Sequence, residues 1–326
     1  MIVICSESLK FMPFHVTWIE HSPSLAVIGS SSDQKGTIQI FGANHGQLET
    51  HAKVVFTESS FRSASVAPSS LGCRGISTGT FNGMLQIWDV DNLDEPIYTV
   101  KHAHVGTVNS ICGKGSETTS PEIATGGRDG FVKLWDVRQA EQPVAVFRPA
   151  IGTVDCFTVT LGQTSYNDKI VAAGFDNGDI KIFDLRNMAV VKEVNITVGV
   201  CSMQFSEKSD SLLVTGINSR ICYFPLDIAN KESVIWESSW RKSTVWTGKL
   251  MPQSAAIFST TAGDGSVGIW RVRQRSEDEE HFELLEEGVV TDQPITSFDW
   301  NSRRKGLAAC TSFNETLKVI QFTKFD

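Results

Sequence analysis

His104, Thr125, Asp129 and Trp135 are the residues of this chain whose types and spacing could do chemistry together. A histidine beside an aspartate can move protons. Buried side by side, the same four types can instead satisfy one another as a hydrogen-bonded chain of indole, hydroxyl, imidazole and carboxylate. The stretch around them, Glu122 to Val137 (EIATGGRDGFVKLWDV), favours the second role. It holds a short apolar run from Ile123 to Thr125, a Gly-rich turn from Gly126 to Gly130, and an alternating strand from Phe131 to Val137. That is the grammar of a β-hairpin. Asp129 falls in the turn, Thr125 and Trp135 fall on its two strands, and His104 lies upstream. The four are therefore expected to tie three strands of one unit together rather than to catalyse.

Other catalytic patterns are absent. The chain has no phosphate-binding G-x-x-x-x-G-K-[ST] loop, no H-E-x-x-H helix and no G-x-S-x-G elbow. His102 and His104 would share a strand face, but no third metal ligand is near them in sequence. The seven cysteines are scattered, mostly within predicted strands and never as CxxC, so they read as reduced thiols without a zinc site or disulfide frame. No catalytic residue, cofactor or metal is expected.

The elements that position the four residues recur along the chain. The Phe131–Val137 strand has counterparts at Gly36–Ala43, Gly83–Val90, Gly178–Leu185, Ser219–Leu226, Gly265–Val272 and Glu315–Phe322. Their Trp-equivalent positions are Phe41, Trp88, Trp135, Phe183, Phe224, Trp270 and Ile320, separated by 47, 47, 48, 41, 46 and 50 residues. Each interval suits one four-stranded blade. A matching hairpin strand precedes each copy, and a strand of β-formers and small residues precedes that, as crowding near a central channel requires. Outer strands follow at Pro96–Lys101, Pro143–Arg148 and Ala189–Val194. The predicted fold is all-β: a seven-bladed propeller, residues 1–326 forming a single domain. No outer strand follows the last copy, and Ile2–Ser6 is expected to supply it, closing the ring.

The His, Thr, Asp and Trp at these spacings form the WD-repeat pattern. In that architecture the turns carrying Asp129 and its counterparts share one face, here called the top. The residue before the turn acid points outward there: Phe81, Arg128, Asp176, Gly263 and Phe313. Phe61, Arg62, Arg241 and Trp246, near the starts of inner strands, join that face. Aromatic and Arg side chains dominate interface hot spots, so these residues, Gly263 aside, are the candidate partner-binding set. For Phe61 and Trp246, packing between blades is an equal reading.

Composition fits a soluble domain: 41% apolar and 20% charged, with no apolar run long enough for a membrane span and no signal-peptide pattern. A net charge of −8 argues against nucleic acid as the main ligand. Arg271–Gly288 stands out, with three arginines followed by an acidic tract, and reads as a solvated loop leading into an acidic outer strand.

Several runs are more specific than a generic repeat. They are Ala172–Val190 (AAGFDNGDIKIFDLRNMAV), Gly199–Phe205, Pro121–Gln139, Ser243–Trp246 and Gln293–Leu307. Through them the sequence resembles, over almost its whole length, the Monad family of WD-repeat proteins, known as axonemal dynein assembly factors. It departs from that family at Arg241, where a His is expected, and in a short, degenerate blade five. The resemblance implies a cytoplasmic adaptor, a monomer within a larger complex. Its partners would be RuvB-like AAA ATPases with their tetratricopeptide and PIH adaptors, prefoldin-like subunits, and dynein chains as clients. Two alternatives remain open. Trp135–Arg138 matches the W-D-x-R box of cullin-RING ubiquitin ligase substrate receptors, and the chain could also be a dynein intermediate-chain-like subunit.

Overall fold

The computed structural model describes residues 1–44, 46–56, 58–67, 71–113, 123–139, 141–148, 154–163, 169–226, 236–273 and 281–325. It opens with β1 (Ile2–Ser8). Blade one is β2 (Met12–Trp18), β3 (Ser24–Ser30), β4 (Gly36–Asn44) and β5 (Gln47–Phe56). Blade two is β6 (Phe61–Val66), β7 (Gly75–Thr80), β8 (Leu85–Asp89) and β9 (Tyr98–Val100). Blade three holds β10 (Val108–Cys112), β11 (Ile123–Gly127), β12 (Val132–Trp135) and β13 (Ala145–Phe147). Blade four holds β14 (Cys156–Gln163), β15 (Lys169–Phe175), β16 (Asp179–Asp184) and β17 (Ala189–Asn195). Then come β18 (Val200–Phe205), β19 (Ser211–Gly216), β20 (Arg220–Pro225) and β21 (Trp236–Ser239) in blade five. Blade six runs β22 (Val245–Met251), β23 (Ser254–Ala262), β24 (Ser266–Val272) and β25 (Phe282–Val289). Blade seven takes β26 (Ile295–Trp300), β27 (Leu307–Ser312) and β28 (Thr316–Gln321).

These strands form seven four-stranded antiparallel sheets, and β1 completes the seventh by pairing with β28. Each inner strand lies against the inner strands of the blades on either side, and β2 meets β26, so the ring closes. The acidic tract beyond residue 280 is β25, the outer strand of blade six; Ser276 and the acids of 277–280 lie outside the described residues.

Seven apolar clusters fill the spaces between successive sheets, and each takes the Trp-position side chain of one blade. Trp88 packs against Ile28, Ile38 and Phe61 between blades one and two, and Trp135 against Leu85, Ile87 and Val108 between two and three. Phe183, Phe224, Trp270, Ile320 and Phe41 fill the remaining five. Burying one such side chain contributes roughly 1.5–3 kcal/mol.

The free edge of each inner strand must also satisfy its backbone groups. Small side chains of the neighbouring blade do this. Ser110 accepts from Val159 N at 3.1 Å, Ser65 from Gly113 N at 3.0 Å, and Ser297 from Val16 N at 3.1 Å. The small residues of the inner strands thus serve as bridges between blades as well as relieving crowding.

Candidate interaction face and the tetrad beneath it

The turn residue of each blade from two to seven reports its place on the disc. Phe81 N donates to Ser60 O, Arg128 N to Thr107 O, Asp176 N to Asp155 O, Gly263 N to Thr244 O and Phe313 N to Pro294 O. Each acceptor lies at or just before the start of the inner strand of the same blade, so these turns all sit at one end of the sheets. Ile217 N makes the same bond to Gly199 O, at 3.0 Å. Sequence reading missed Ile217, whose turn carries Ser219 where most blades carry glycine; it is 40% exposed, beside Phe81 at 42%, Trp246 at 41% and Phe313 at 37%.

The turns share a second feature. The residue after the turn acid or amide takes positive φ: Gly83, Gly130, Gly178 and Gly265 at 75° to 88°, and Ser219 and Glu315 at 65° and 58°. Glycine adopts that conformation freely, whereas Ser219 and Glu315 adopt it at a cost.

In blade three the four polar residues meet. Trp135 Nε1 donates to Thr125 Oγ1 at 2.9 Å, and Thr125 Oγ1 lies 2.7 Å from His104 Nε2. His104 Nδ1 is 2.8 Å from Asp129 Oδ1. A carboxylate only accepts, so Nδ1–H donates to Asp129. Asp129 Oδ2 also accepts from Val105 N at 2.8 Å, which ties the loop leading into β10 to the hairpin turn. Burial pushes the Asp129 carboxyl up, but the bond and charge of His104 and two backbone N–H groups outweigh it and hold it below the usual range. Both ring nitrogens of His104 are engaged internally, so the pair presents no free base to a substrate.

Blades two and six keep only the inner half of this arrangement. Trp88 donates to Thr78 at 3.0 Å and Trp270 to Thr260 at 2.8 Å. In blade six Asp264 turns back onto Ser266 N at 3.0 Å and onto its hydroxyl.

Of the candidate surface residues, Phe61 is corrected outright. It is fully buried, stacked on Phe56 at 5.6 Å and edge-on to Trp88 at 6.0 Å, because it fills the space between blades one and two. Arg241 is engaged, with its guanidinium 3.2 Å from Glu287 and over the Trp240 ring. Phe81, Arg128, Asp176, Trp246 and Phe313 are exposed. Arg62 is half-buried and lies over the Phe14 ring at 5.6 Å, and Phe14 meets Phe81 edge-on at 5.7 Å. Thr107 links Phe81 to Arg128: its hydroxyl donates to Phe81 O at 3.3 Å and its carbonyl accepts from Arg128 N. Blades one to three thus bring Arg62, Phe81 and Arg128 into one neighbourhood, joined by Phe14 and by Val105, which is 83% exposed. Trp246, Phe313 and Asp176 stand on other blades of the same face.

Arg138 of the W-D-x-R box is bound within its own turn, with Nε and Nη2 at 2.9 and 2.8 Å from the two Asp136 oxygens. No group of side chains able to hold a metal ion is found among the described residues, and none of their helices is long and apolar enough to cross a membrane.

A model of the WD domain, G-beta repeat, matches residues 94–136, the end of blade two and most of blade three. Along its whole length the chain is 34% identical to dynein axonemal assembly factor 10 of Xenopus tropicalis, covering 97% of that protein. The protein of the same name from Danio rerio is 35% identical over the whole chain and 97% of its own length. The chain belongs to the dynein axonemal assembly factor 10 family of WD-repeat proteins. The Chlamydomonas reinhardtii relative is 33% identical over 98% of this chain. Family membership and the seven-sheet ring agree: the similarity spans every blade, including the degenerate fifth.

Proposed function

We propose that this chain is a non-enzymatic protein-interaction adaptor that acts in the cytoplasm, as a monomer within a larger complex, during pre-assembly of axonemal dynein arms. Its clients are dynein chains. Its working partners are RuvB-like ATPases with tetratricopeptide and PIH adaptors, together with prefoldin-like subunits. The observation that carries this reading is the end-to-end similarity to relatives named dynein axonemal assembly factor 10. The structure supports it with a rigid ring that presents Phe81, Arg128, Trp246 and Phe313 on one face. Such a scaffold loses little entropy on binding, so a few anchors can give useful affinity.

The test is capture of the tagged full chain from cytoplasm of cells building motile cilia, with the retained proteins identified by mass. Dynein chains and RuvB-like ATPases are the expected yield. A yield dominated by a cullin-RING adaptor, or by assembled axonemal dynein alone, overturns the proposal. Arg128→Glu with Phe81→Ala is expected to abolish capture without unfolding, since both sit at turn tips and true anchors cost at least about 2 kcal/mol each. The matched control on the opposite face is Asp94→Lys with Ile97→Ala, both exposed. Leu93, also at that end, belongs to the core between blades one and two and is unsuitable.

A further inference from the structure

Every inner strand slips register at the same place. The ladder shifts between Pro13 and His15, Phe61 and Ser63, Val108 and Ser110, Cys156 and Thr158, Val200 and Ser202, Val245 and Thr247, and Ile295 and Ser297. Each shift is a β-bulge at the second or third residue of the strand or at its very start, next to the top-face turn. A bulge re-aims the extra side chain. The seven bulged residues are Phe14, Arg62, Asn109, Phe157, Cys201, Trp246 and Thr296. They stand at the top end of the strands that border the central channel and so form a ring at its mouth.

Arg62 is the one charged member of that ring. It is half-buried, and no carboxylate pairs with it among the described residues. Its guanidinium is held over the face of Phe14, which fixes its plane. Phe81 buttresses Phe14 from the turn of blade two. Lys249 adds positive character to the neighbouring wall: burial first, then the charges of Lys249 and Arg62, keep His15 unprotonated down to about pH 3. Asp176 acts on Cys201, in blade five, away from Arg62 in blade two. A partly desolvated cation without a partner is costly and becomes favourable when a carboxylate docks on its fork.

We propose that the channel mouth at blades one and two is a binding site for an acidic peptide segment. One carboxylate pairs with Arg62 and an adjacent apolar side chain beds against Phe14 and Phe81. The planar fork takes a carboxylate in two parallel hydrogen bonds, and one cation balances the single charge of a carboxylate, whereas a phosphate carries about −1.5 to −2. The proposal rests on the reading of the chain as a binding scaffold that captures through its top face.

The test uses the full chain and fluorescein-labelled peptides followed by anisotropy. Glu-Glu-Asp-Phe-Glu-Glu is expected to bind, with affinity falling as salt rises. Its counterpart Lys-Lys-Lys-Phe-Lys-Lys is expected not to bind. Arg62→Gln should weaken the acidic peptide by about tenfold or more, and Phe14→Leu should weaken it with Arg62 intact. Arg303→Gln, on the opposite face, should leave it unchanged. Melting curves of each variant separate loss of the site from loss of the fold; if Arg62→Gln melts early, Phe14→Leu and Arg62→Lys decide. Equal binding of both peptides, unchanged binding by Arg62→Gln, or binding of a phosphoserine peptide in place of the carboxylate peptide overturns the proposal. If the acidic peptide fails while dynein chains are still captured, the site is wrong and the function stands. If the peptide binds and no assembly partner is captured, the site stands and the function is wrong.

Discussion

The indole of Trp88 donates to the hydroxyl of Thr78 at 3.0 Å in a blade that has neither a histidine nor a turn acid. The bond is as buried and nearly as short as that from Trp135 to Thr125 at 2.9 Å. The sequence alone suggests that Trp88→Phe costs less than Trp135→Phe, because blade two lacks the rest of the chain. The geometry removes that distinction. In each case phenylalanine keeps most of the apolar area and leaves a buried hydroxyl without its donor, a cost of about 1–3 kcal/mol. Equal shifts in the urea midpoint at unchanged slope are expected for the two variants. What is specific to blade three is the outer half, so Asp129→Asn should add its own cost by loosening Val105 and the loop before β10.

Acid should unfold this protein in two stages. An unfolded chain protonates His15 near pH 6.5, while the folded chain resists until about pH 3. A depressed histidine favours the folded state at neutral pH, and that advantage is lost as pH falls from about 6.5 towards about 3. Asp129, held below the usual carboxylate range, contributes stability present above about pH 4, lost as pH falls further through its own lowered value. His15→Gln should flatten the first stage and leave the second. Urea midpoints measured from pH 7 to pH 3 check this; superimposable profiles for wild type and variant would refute the assignment.

Much of the ring was legible in the sequence because burial on both faces forces apolar runs at a fixed spacing. Phe41, Trp88, Trp135, Phe183, Phe224, Trp270 and Ile320 each face the preceding blade, and one repeated position therefore marks each inter-blade core. The face was less legible. Ile217 hides in a turn reading Asn218-Ser219, where the glycine of blades two, three, four and six is missing although the backbone adopts the same shape. Phe61 could not be placed from sequence, because a strand-starting aromatic can pack or protrude and only the sheet twist decides. The seven bulges were invisible for a simpler reason: a bulge is a mismatch between two strands, and neither strand shows it alone.

Glu315 provides a test of backbone strain. It holds φ +58° at the turn position occupied by glycine in blades two, three, four and six. Its side chain is exposed, while its carbonyl accepts from Leu9 N at 2.7 Å, a bond that any residue can make. Left-handed backbone costs a non-glycine residue roughly 1–2 kcal/mol, and glycine returns about 0.5–1 kcal/mol through unfolded-state entropy. Glu315→Gly should therefore stabilise by about 0.5–1 kcal/mol by urea titration. Destabilisation would mean that the Glu315 side chain contributes something its exposure does not reveal.

The seventh blade is built from both ends of the chain, and its closure can be tested by taking the first strand away. β1 pairs with β28 from Ile2 opposite Gln321 to Ser8 opposite Thr316, with one bulge at Val3 to Cys5. Leu9 lies in the core between blades seven and one, and Cys5 packs against it. At the far end of β1 the Met1 ammonium bonds the buried carboxylate of Glu286, which also accepts from Thr323 N and Lys324 N at 3.4 Å. Deleting Met1–Leu9 strips β28 of its ladder partner, exposes apolar surface between blades, and leaves Glu286 without its cation. A melting temperature lower by several degrees is expected, since several contacts are lost together and each kcal/mol shifts the midpoint by about 1.5 °C in a domain of this size. Amide exchange should quicken first along β28, the strand left at an open edge. A synthetic peptide of residues 1–9 should then bind the truncated ring and raise its melting temperature in a concentration-dependent way, as any ligand of the folded state must. An unchanged melting curve would show that β28 does not depend on β1. A lowered curve that the peptide fails to raise would overturn the pairing of β1 with β28 as the source of the loss.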